Sequence, residues 1–340
     1  MIDFSEHKFR ASSCHALATG TIGVSETQEE RIKELELRKT TKLKLTDGQQ
    51  KKYDDYSNRD KLTDTQKKEL KSLEVKKNSF LGLTETMEKE LKSLIHQKDN
   101  PEMPKTMLTE LRKIYRSVKY DRHFLFTNKY IKKGISQEEE SFTVYQHWLE
   151  KVKGIKTFLK NNKQRIEDDF FSGETDCSKP FYDKYKWGFD VKTSWSLETF
   201  PFKEDKLDNS YVWQNQVYMH LTGIKEWKTA YVLVNSTEST LHNEKMKYFY
   251  SYDMHLSEKN EEKYIETCRD LEKLHIVDYD KFMALYPGQN LEISREEWHK
   301  NNFDIPLEDR VVEKVVFYDE EKIKFIQKRI ILSRNYLNSI

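Results

Sequence analysis

The stretch Lys186-Trp187-Gly188-Phe189-Asp190-Val191-Lys192-Thr193-Ser194 alternates loosely and reads as a strand over 186–193. Successive side chains on a strand take opposite faces, so Asp190 and Lys192 share one face and Val191 is expected in the core. An acidic-x-Lys triplet alone means little in a chain this charged, and Glu204-Asp205-Lys206 is another, in an evident loop. Taken alone, the Asp190 triplet reads as a surface pair on an edge strand. Its context is different: Asp176 lies upstream, after the turn residue Gly173. Two carboxylates and an ammonium are thereby expected together at the end of a hairpin.

Two further segments flank this pair. Gly134-Ile135-Ser136-Gln137-Glu138-Glu139-Glu140-Ser141 opens a helix, and Trp213-Gln214-Asn215-Gln216-Val217-Tyr218 lies on another. The chemistry that uses such a set is metal-assisted phosphodiester hydrolysis. Hard oxygen ligands suit Mg²⁺ or Mn²⁺, which keep several waters and bind substrate phosphate. Such ions activate water and neutralise developing charge, and a lysine beside them stabilises the attacking hydroxide.

The four segments, in this order, resemble the PD-(D/E)XK nuclease superfamily. Within it they are similar to the bacteriophage lambda exonuclease and YqaJ-type viral recombinase group, related to RecB-like nucleases. Gly134 before helical Glu138, Asp176 after a turn, Asp190-Val191-Lys192, and Gln214 with Tyr218 match that group's motifs over roughly residues 120–240. Two departures stand out: Gly-Glu-Thr-Asp replaces a Pro-Asp, and Asp190 stands where many relatives carry Glu.

The resemblance implies an α/β fold, with a central mixed sheet flanked by helices and an α-helical insertion. It implies that Asp176, Asp190 and the Val191 carbonyl ligate Mg²⁺ or Mn²⁺. Glu138 completes the shell, with Glu139 as its rival, and Lys192 activates the attacking water. Gln214 holds the Lys192 region or the phosphate, and Tyr218 packs beneath it or touches the DNA backbone. Phe9-Arg10-Ala11-Ser12-Ser13 is similar to the segment that lambda-type exonucleases place near the 5′-phosphate, so Arg10, Ser12 and Ser13 are candidate DNA contacts. Alternatively Ser12 or Ser13 simply caps a helix. Lys129, Lys132 and Lys133 precede the helical glutamate and are placed to track DNA phosphates. Trp195, Phe200 and Phe202 follow Lys192 in a loop, either as core packing or as surfaces on which an unpaired base stacks.

Composition bounds the rest. The chain has 340 residues, 36% hydrophobic and 34% charged, against about 25% charged in ordinary globular proteins. The mean hydropathy of -0.90 is low, yet 19 Tyr, 18 Phe and 6 Trp argue for a folded core rather than disorder. Basic and acidic residues number 59 and 58, so any nucleic-acid contact must come from local charge segregation. No segment approaches the roughly 20 apolar residues of a membrane span, and the N-terminus lacks the apolar core of a secretory signal. Cys14, Cys177 and Cys268 lie far apart, which excludes a disulfide framework and the iron–sulfur members of the RecB-like set. A cytoplasmic protein is expected.

Residues 1–24 are read as the first element of the core, 25–115 as a charged helical insertion, and 116–340 as the nuclease core. The insertion repeats Leu-Thr-acid-Thr at Leu62 and Leu83, and Thr63 with Gln66 forms a capping-box pattern. Two or three short amphipathic helices are expected there. A helix over 106–119 carries a basic stripe of Arg112, Arg116 and Lys119. Further strands are expected over 231–235, 247–252 and 310–318, with helices over 211–222, 261–275 and from 320 onward.

The function so implied is Mg²⁺-dependent exonucleolytic hydrolysis of linear double-stranded DNA, 5′ to 3′, for phage-type recombination. DNA ends, a single-strand annealing protein and further copies in a homo-oligomer are the implied partners. A RecB-like or CRISPR-associated exonuclease, or an endonuclease of the same superfamily, is the alternative within enzymes. A DNA-binding scaffold is the alternative outside them.

Overall fold

The computed structural model describes residues 2–122, 128–162, 164–251 and 261–340. The chain forms two compact units, Met1–Ala18 with Thr109–Ile340, and Thr19–Leu108. Among the described residues no helix is long and apolar enough to cross a membrane.

A short strand β1 (Phe9–Arg10) and helix α1 (Cys14–Ala18) come first. The second unit then holds α2 (Glu26–Thr40), α3 (Asp47–Ser57), α4 (Asp64–Asn78) and α5 (Glu85–Asp99), one helix more than the two or three expected. The additional one, α2, starts at Ser25, outside the Leu-Thr repeat. Each helix opens on a hydroxyl N-cap, at Ser25, Thr46, Thr63 and Thr84. The expected Thr63–Gln66 box forms, with backbone-to-side-chain bonds of 3.0 and 3.3 Å. Ser25–Gln28 and Thr46–Gln49 form the same box, and Thr84 lacks it because Met87 stands where the glutamine would be. Ile32, Leu35, Leu91 and Leu94 make this unit's small core.

Helix α6 (Lys105–Tyr120) contains the boundary between the units and leads into the rest of the first. There follow α7 (Lys129–Ser136), α8 (Glu138–Lys153), β2 (Arg165–Glu167), β3 (Phe171–Glu174), α9 (Lys179–Tyr185), β4 (Gly188–Thr193), α10 (Asn209–Thr222) and β5 (Glu226–Val232). The chain continues through α11 (Glu238–Ser251), α12 (Glu261–His275), α13 (Tyr279–Leu285), α14 (Arg295–Lys300), β6 (Val311–Phe317) and α15 (Glu320–Ser339).

The architecture is mixed α/β, but the strands form two small sheets rather than one central sheet. One has the order β1-β3-β2, the other β4-β5-β6, and each mixes parallel with antiparallel pairing. The reason lies between β3 and β4, where α9 intervenes, with a proline in its first turn and Lys186 ending it at φ 61°. Asp176 and the triplet therefore do not sit on a hairpin. Residues 247–250 are helical, not strand. Leu241 and Phe249, two turns apart, are the buried positions of α11, and Phe249 stacks on Tyr264 with ring centroids 4.2 Å apart. Tyr252 lies outside the described residues. The strand expected at 231–235 is β5, which starts earlier; Leu233, Val234 and Asn235 leave it but stay buried.

The β4–α10–β5 crossover organises one face of the second sheet. Along α10, Tyr218 packs on Trp227 (ring centroids 5.4 Å), Asn215 donates to Thr229 Oγ1 (2.9 Å), and Tyr211 meets Tyr231 (6.2 Å). Helical steps of three and four thus run antiparallel to strand steps of two. The opposite face is covered by α8, where Tyr145 packs on Phe189 (5.3 Å) and bonds Glu313 (2.7 Å). Gly188 permits the sheet's closest approach: a Cβ there would lie 2.2 Å from the Trp227 ring.

Candidate active site

Asp190 lies on the α10 face of β4, with its side chain only 3% exposed. Val191, expected in the core, is only half-buried; the carboxylate is the buried member of the triplet. The Lys192 ammonium sits against Asp190 Oδ2 in an ion pair. That oxygen has no hydrogen bond of acceptable geometry. Asp176, in the bend after β3, reaches the same place, and its Oδ2 accepts the Val191 N–H at 2.7 Å. Burial, and then the charge of Asp190, push the Asp176 carboxyl well above its ordinary pKa. Burial works against the Lys192 ammonium, but Asp190 and Asp176 outweigh it, so Lys192 stays protonated beyond the usual lysine range. The Tyr211 ring lies beside it, with its centroid 4.9 Å from Nζ.

Glu138 opens α8 and accepts from Asn161 Nδ2 at 2.6 Å; its charge also acts on Asp176. Its neighbours are otherwise engaged: Glu139 is exposed, and Glu140 pairs with Lys281 at 2.8 Å. Among the described residues no three His, Cys, Asp or Glu side chains converge as a metal cage. The donor chemistry nevertheless fits a hard divalent cation. Two neighbouring buried carboxylates repel each other, and one of them carries an oxygen without a hydrogen bond. A cation that takes its remaining ligands from water and phosphate needs few protein oxygens.

A cleft of about 180 Å³ is lined by Arg10, Ser12, Arg165, Ser172, Gly173, Glu174, Gln214 and Tyr218, and of these Tyr218 lies within reach of the charges of Asp190, Lys192 and Asp176. Gln214 and Tyr218, one helical turn apart, are linked: the Gln214 amide donates to the Tyr218 hydroxyl (2.8 Å), which donates to the Glu174 carbonyl (2.8 Å). Gly173 makes room, since a Cβ there would lie 2.9 Å from the tyrosine ring. Gln214 thus supports the cleft wall rather than Lys192. Arg10 and Ser12 line the cleft as a binding segment requires, whereas Ser13 does not. Arg10 occupies the N-cap position of the turn at Ala11–Ser13 and makes no side-chain cap bond.

The three lysines before Glu138 diverge. Lys132 is exposed, and Lys129 pairs with Glu244 at 3.0 Å while lying over the Trp195 ring. Lys133 cannot track phosphates: it is 2% exposed and donates to the Trp195 carbonyl (2.7 Å) and Ser236 Oγ (2.9 Å). Burial pulls its pKa down to about 7. Trp195 is buried, Phe200 half-buried and Phe202 exposed. Sequence reasoning missed Arg165, Ser172, Asn161 and Tyr211. Only Tyr211 carried a signal, as it lies one turn before Gln214–Asn215 on the same helix; Arg165 enters through its pairing with Glu174.

No family model matches the chain, and no curated protein does. Solved structures do. A phage related exonuclease from Haemophilus somnus 129PT is 20% identical, over 70% of this chain and 83% of that one, with a TM-score of 0.47. An alkaline exonuclease from Laribacter hongkongensis is 10% identical over 70% and 82%, with a TM-score of 0.39. The same enzyme in complex with dAMP matches at 10% identity over 69% and 82%, with a TM-score of 0.37.

Proposed function

We propose that the protein is a divalent-metal-dependent deoxyribonuclease of PD-(D/E)XK type that degrades linear duplex DNA from its ends. The observation that carries this reading is the buried Asp190 carboxylate, with Asp176 and the Lys192 ammonium against it, beside a cleft lined by two arginines.

Asp176, Asp190 and the Val191 carbonyl are the residues that would hold Mg²⁺ or Mn²⁺, and Glu138 would join them once released from Asn161. When bound, such an ion polarises the phosphate and lowers the pKa of water. Lys192, fixed by its carboxylates and by Tyr211, orients the attacking water and offsets charge developing on the phosphate. The water oxygen bonds to phosphorus as the P–O3′ bond breaks, and a nucleoside 5′-monophosphate leaves. Arg10, Ser12 and Arg165 receive the terminal 5′-phosphate through charge-assisted hydrogen bonds. Gln214, Tyr218 and the Glu174 carbonyl keep that wall in place. Lys132 gives sequence-independent affinity for the duplex. In this reading the strand is resected 5′ to 3′ in the cytoplasm, the 3′ overhang passes to a single-strand annealing protein, and copies of the chain act as a homo-oligomer.

The test uses 5′-phosphorylated linear duplex, labelled separately at each end, with Mg²⁺ or with EDTA. Mononucleotides should be released from the 5′ label only with metal, and covalently closed circles should survive. Lys192→Ala should lower kcat by about 10²–10³-fold, the range for removing one group that stabilises transition-state charge. Absence of hydrolysis with either metal on any duplex would falsify the enzyme reading in favour of a DNA-binding scaffold, and cutting of circles would make the protein an endonuclease.

A further inference from the structure

Lys314 of β6 is a buried lysine. It is 7% exposed and, among the described residues, forms no ion pair. Its ammonium instead meets three backbone carbonyls, those of Phe202, Lys203 (2.8 Å) and Asp205 (2.7 Å). Three acceptors match its three N–H donors. The turn is closed a second time from within: the Phe202 N–H donates to Asp205 Oδ2 (2.7 Å), and the Asp205 N–H donates to the Phe202 carbonyl (3.2 Å). This turn presents Phe202 to solvent at 75% exposure. Burying an unpaired ammonium is costly, and so is holding an aromatic ring in water. Packing alone would be served better by an apolar residue at 314 and a polar one at 202.

The position of the turn gives the ring a use. Asp190 pairs in register with Thr229, and Thr229 with Lys314. Directly paired residues project from the same face of a sheet, and strands lie about 4.8 Å apart, so Lys314 is anchored about 10 Å from Asp190 on the α10 face. The turn also leads directly into α10, which carries Gln214 and Tyr218. We propose that Phe202 is a stacking platform for a nucleobase of the strand being cut, at the opened end of the duplex, and that Lys314 is the positioning residue that holds it there. This rests on the nuclease reading. Stacking on an aromatic ring accepts any base, as degradation without sequence preference requires.

The test uses 5′-phosphorylated duplex with 2-aminopurine in its terminal pair, bound to the full chain with Ca²⁺ in place of Mg²⁺, alongside steady-state hydrolysis of unmodified duplex. Wild type should quench 2-aminopurine. Phe202→Ala should abolish the quenching and raise KM for ends about tenfold, equivalent to about 1.4 kcal/mol, while Phe202→Trp restores both. Lys314→Met should reproduce the alanine phenotype with the ring still present. Quenching and KM unchanged in Phe202→Ala would overturn the proposal. So would a Phe202→Ala variant that binds DNA normally but sediments as a smaller oligomer, which would assign the ring to a protein interface. Loss of hydrolysis in wild type itself would remove the nuclease reading and is distinguishable, because the fluorescence arm requires no cleavage.

Discussion

The two compact units differ in whether they bury charge. In the helical unit, ion pairs stand in solvent: Lys89 and Glu85 are 75% and 83% exposed while 2.6 Å apart. Such pairs contribute little to stability. The α/β unit has exposed pairs as well, such as Lys179 with Asp183, but it also holds buried charges fastened to backbone. Glu272, fully buried, takes Lys245 (2.7 Å) and the N–H groups of Glu292 (2.9 Å) and Ile293 (3.1 Å). Lys133 holds the Trp195 carbonyl, and Lys314 holds three carbonyls of one turn. These ions replace the hydrogen bonds that irregular segments lack. Asp190 Oδ2 fits neither pattern: it is buried beside a second carboxylate, is answered by the Lys192 ammonium, and takes no backbone hydrogen bond. A buried charge that satisfies no backbone group sets this position apart from the rest of the unit.

The contrast is open to experiment. In the helical unit stability should reside in the apolar stripe. Leu91 is 2% exposed against Ile32 and Leu35, so Leu91→Ala should destabilise that unit by about 2–5 kcal/mol, read as faster amide exchange in α2 and α5. Exchange unaltered there would mean that the exposed pairs do more than supposed. In the α/β unit, the buried Lys133 should make stability depend on pH. Its folded pKa of about 7 lies below its ordinary 10.5, so the unfolded chain binds a proton that the folded chain lacks between those values. The penalty is full at and below pH 7, and stability rises with pH above it, by at most about 1.4 kcal/mol per pH unit. Chemical denaturation across pH 7–10 should show this slope in wild type and its loss in Lys133→Met. An identical slope in both would place the titration elsewhere. The smallest effect belongs to the exposed pair: Glu85→Gln should leave the thermal midpoint unchanged, and a clear drop would contradict the comparison.

What the sequence disclosed was local. Gln214 and Tyr218 are one helical turn apart, and Thr63 and Gln66 form a capping box, because both relations are set by spacing along the helix. Asp176, Asp190 and Lys192 were singled out by residue type and order, and the fold brings them together. What escaped depends on which elements meet. Lys129, Lys132 and Lys133 look alike as a basic stripe, yet packing buries the third. Tyr248-Phe249-Tyr250 resembles a strand until α12 supplies Tyr264 to stack on Phe249. Arg165 reaches the cleft only through the β2–β3 register, and hydrogen bonding between strands decides that there are two sheets rather than one.

The strand order also sets a timetable for translation. β4, α10 and β5 are contiguous in the chain and emerge together from the ribosome, with Asp190, Lys192, Gln214 and Tyr218 on them. Their sheet is closed on the other side of β5 by β6, which pairs along the whole of Glu226–Val232 and is synthesised some eighty residues later. Until Val311–Phe317 emerges, β5 has an open edge and Asp190 lies on a two-stranded ribbon, an arrangement marginal on its own in water. The Phe202 turn likewise waits for Lys314. A nascent chain therefore carries Asp190, Lys192, Gln214 and Tyr218 well before the sheet beneath them is closed.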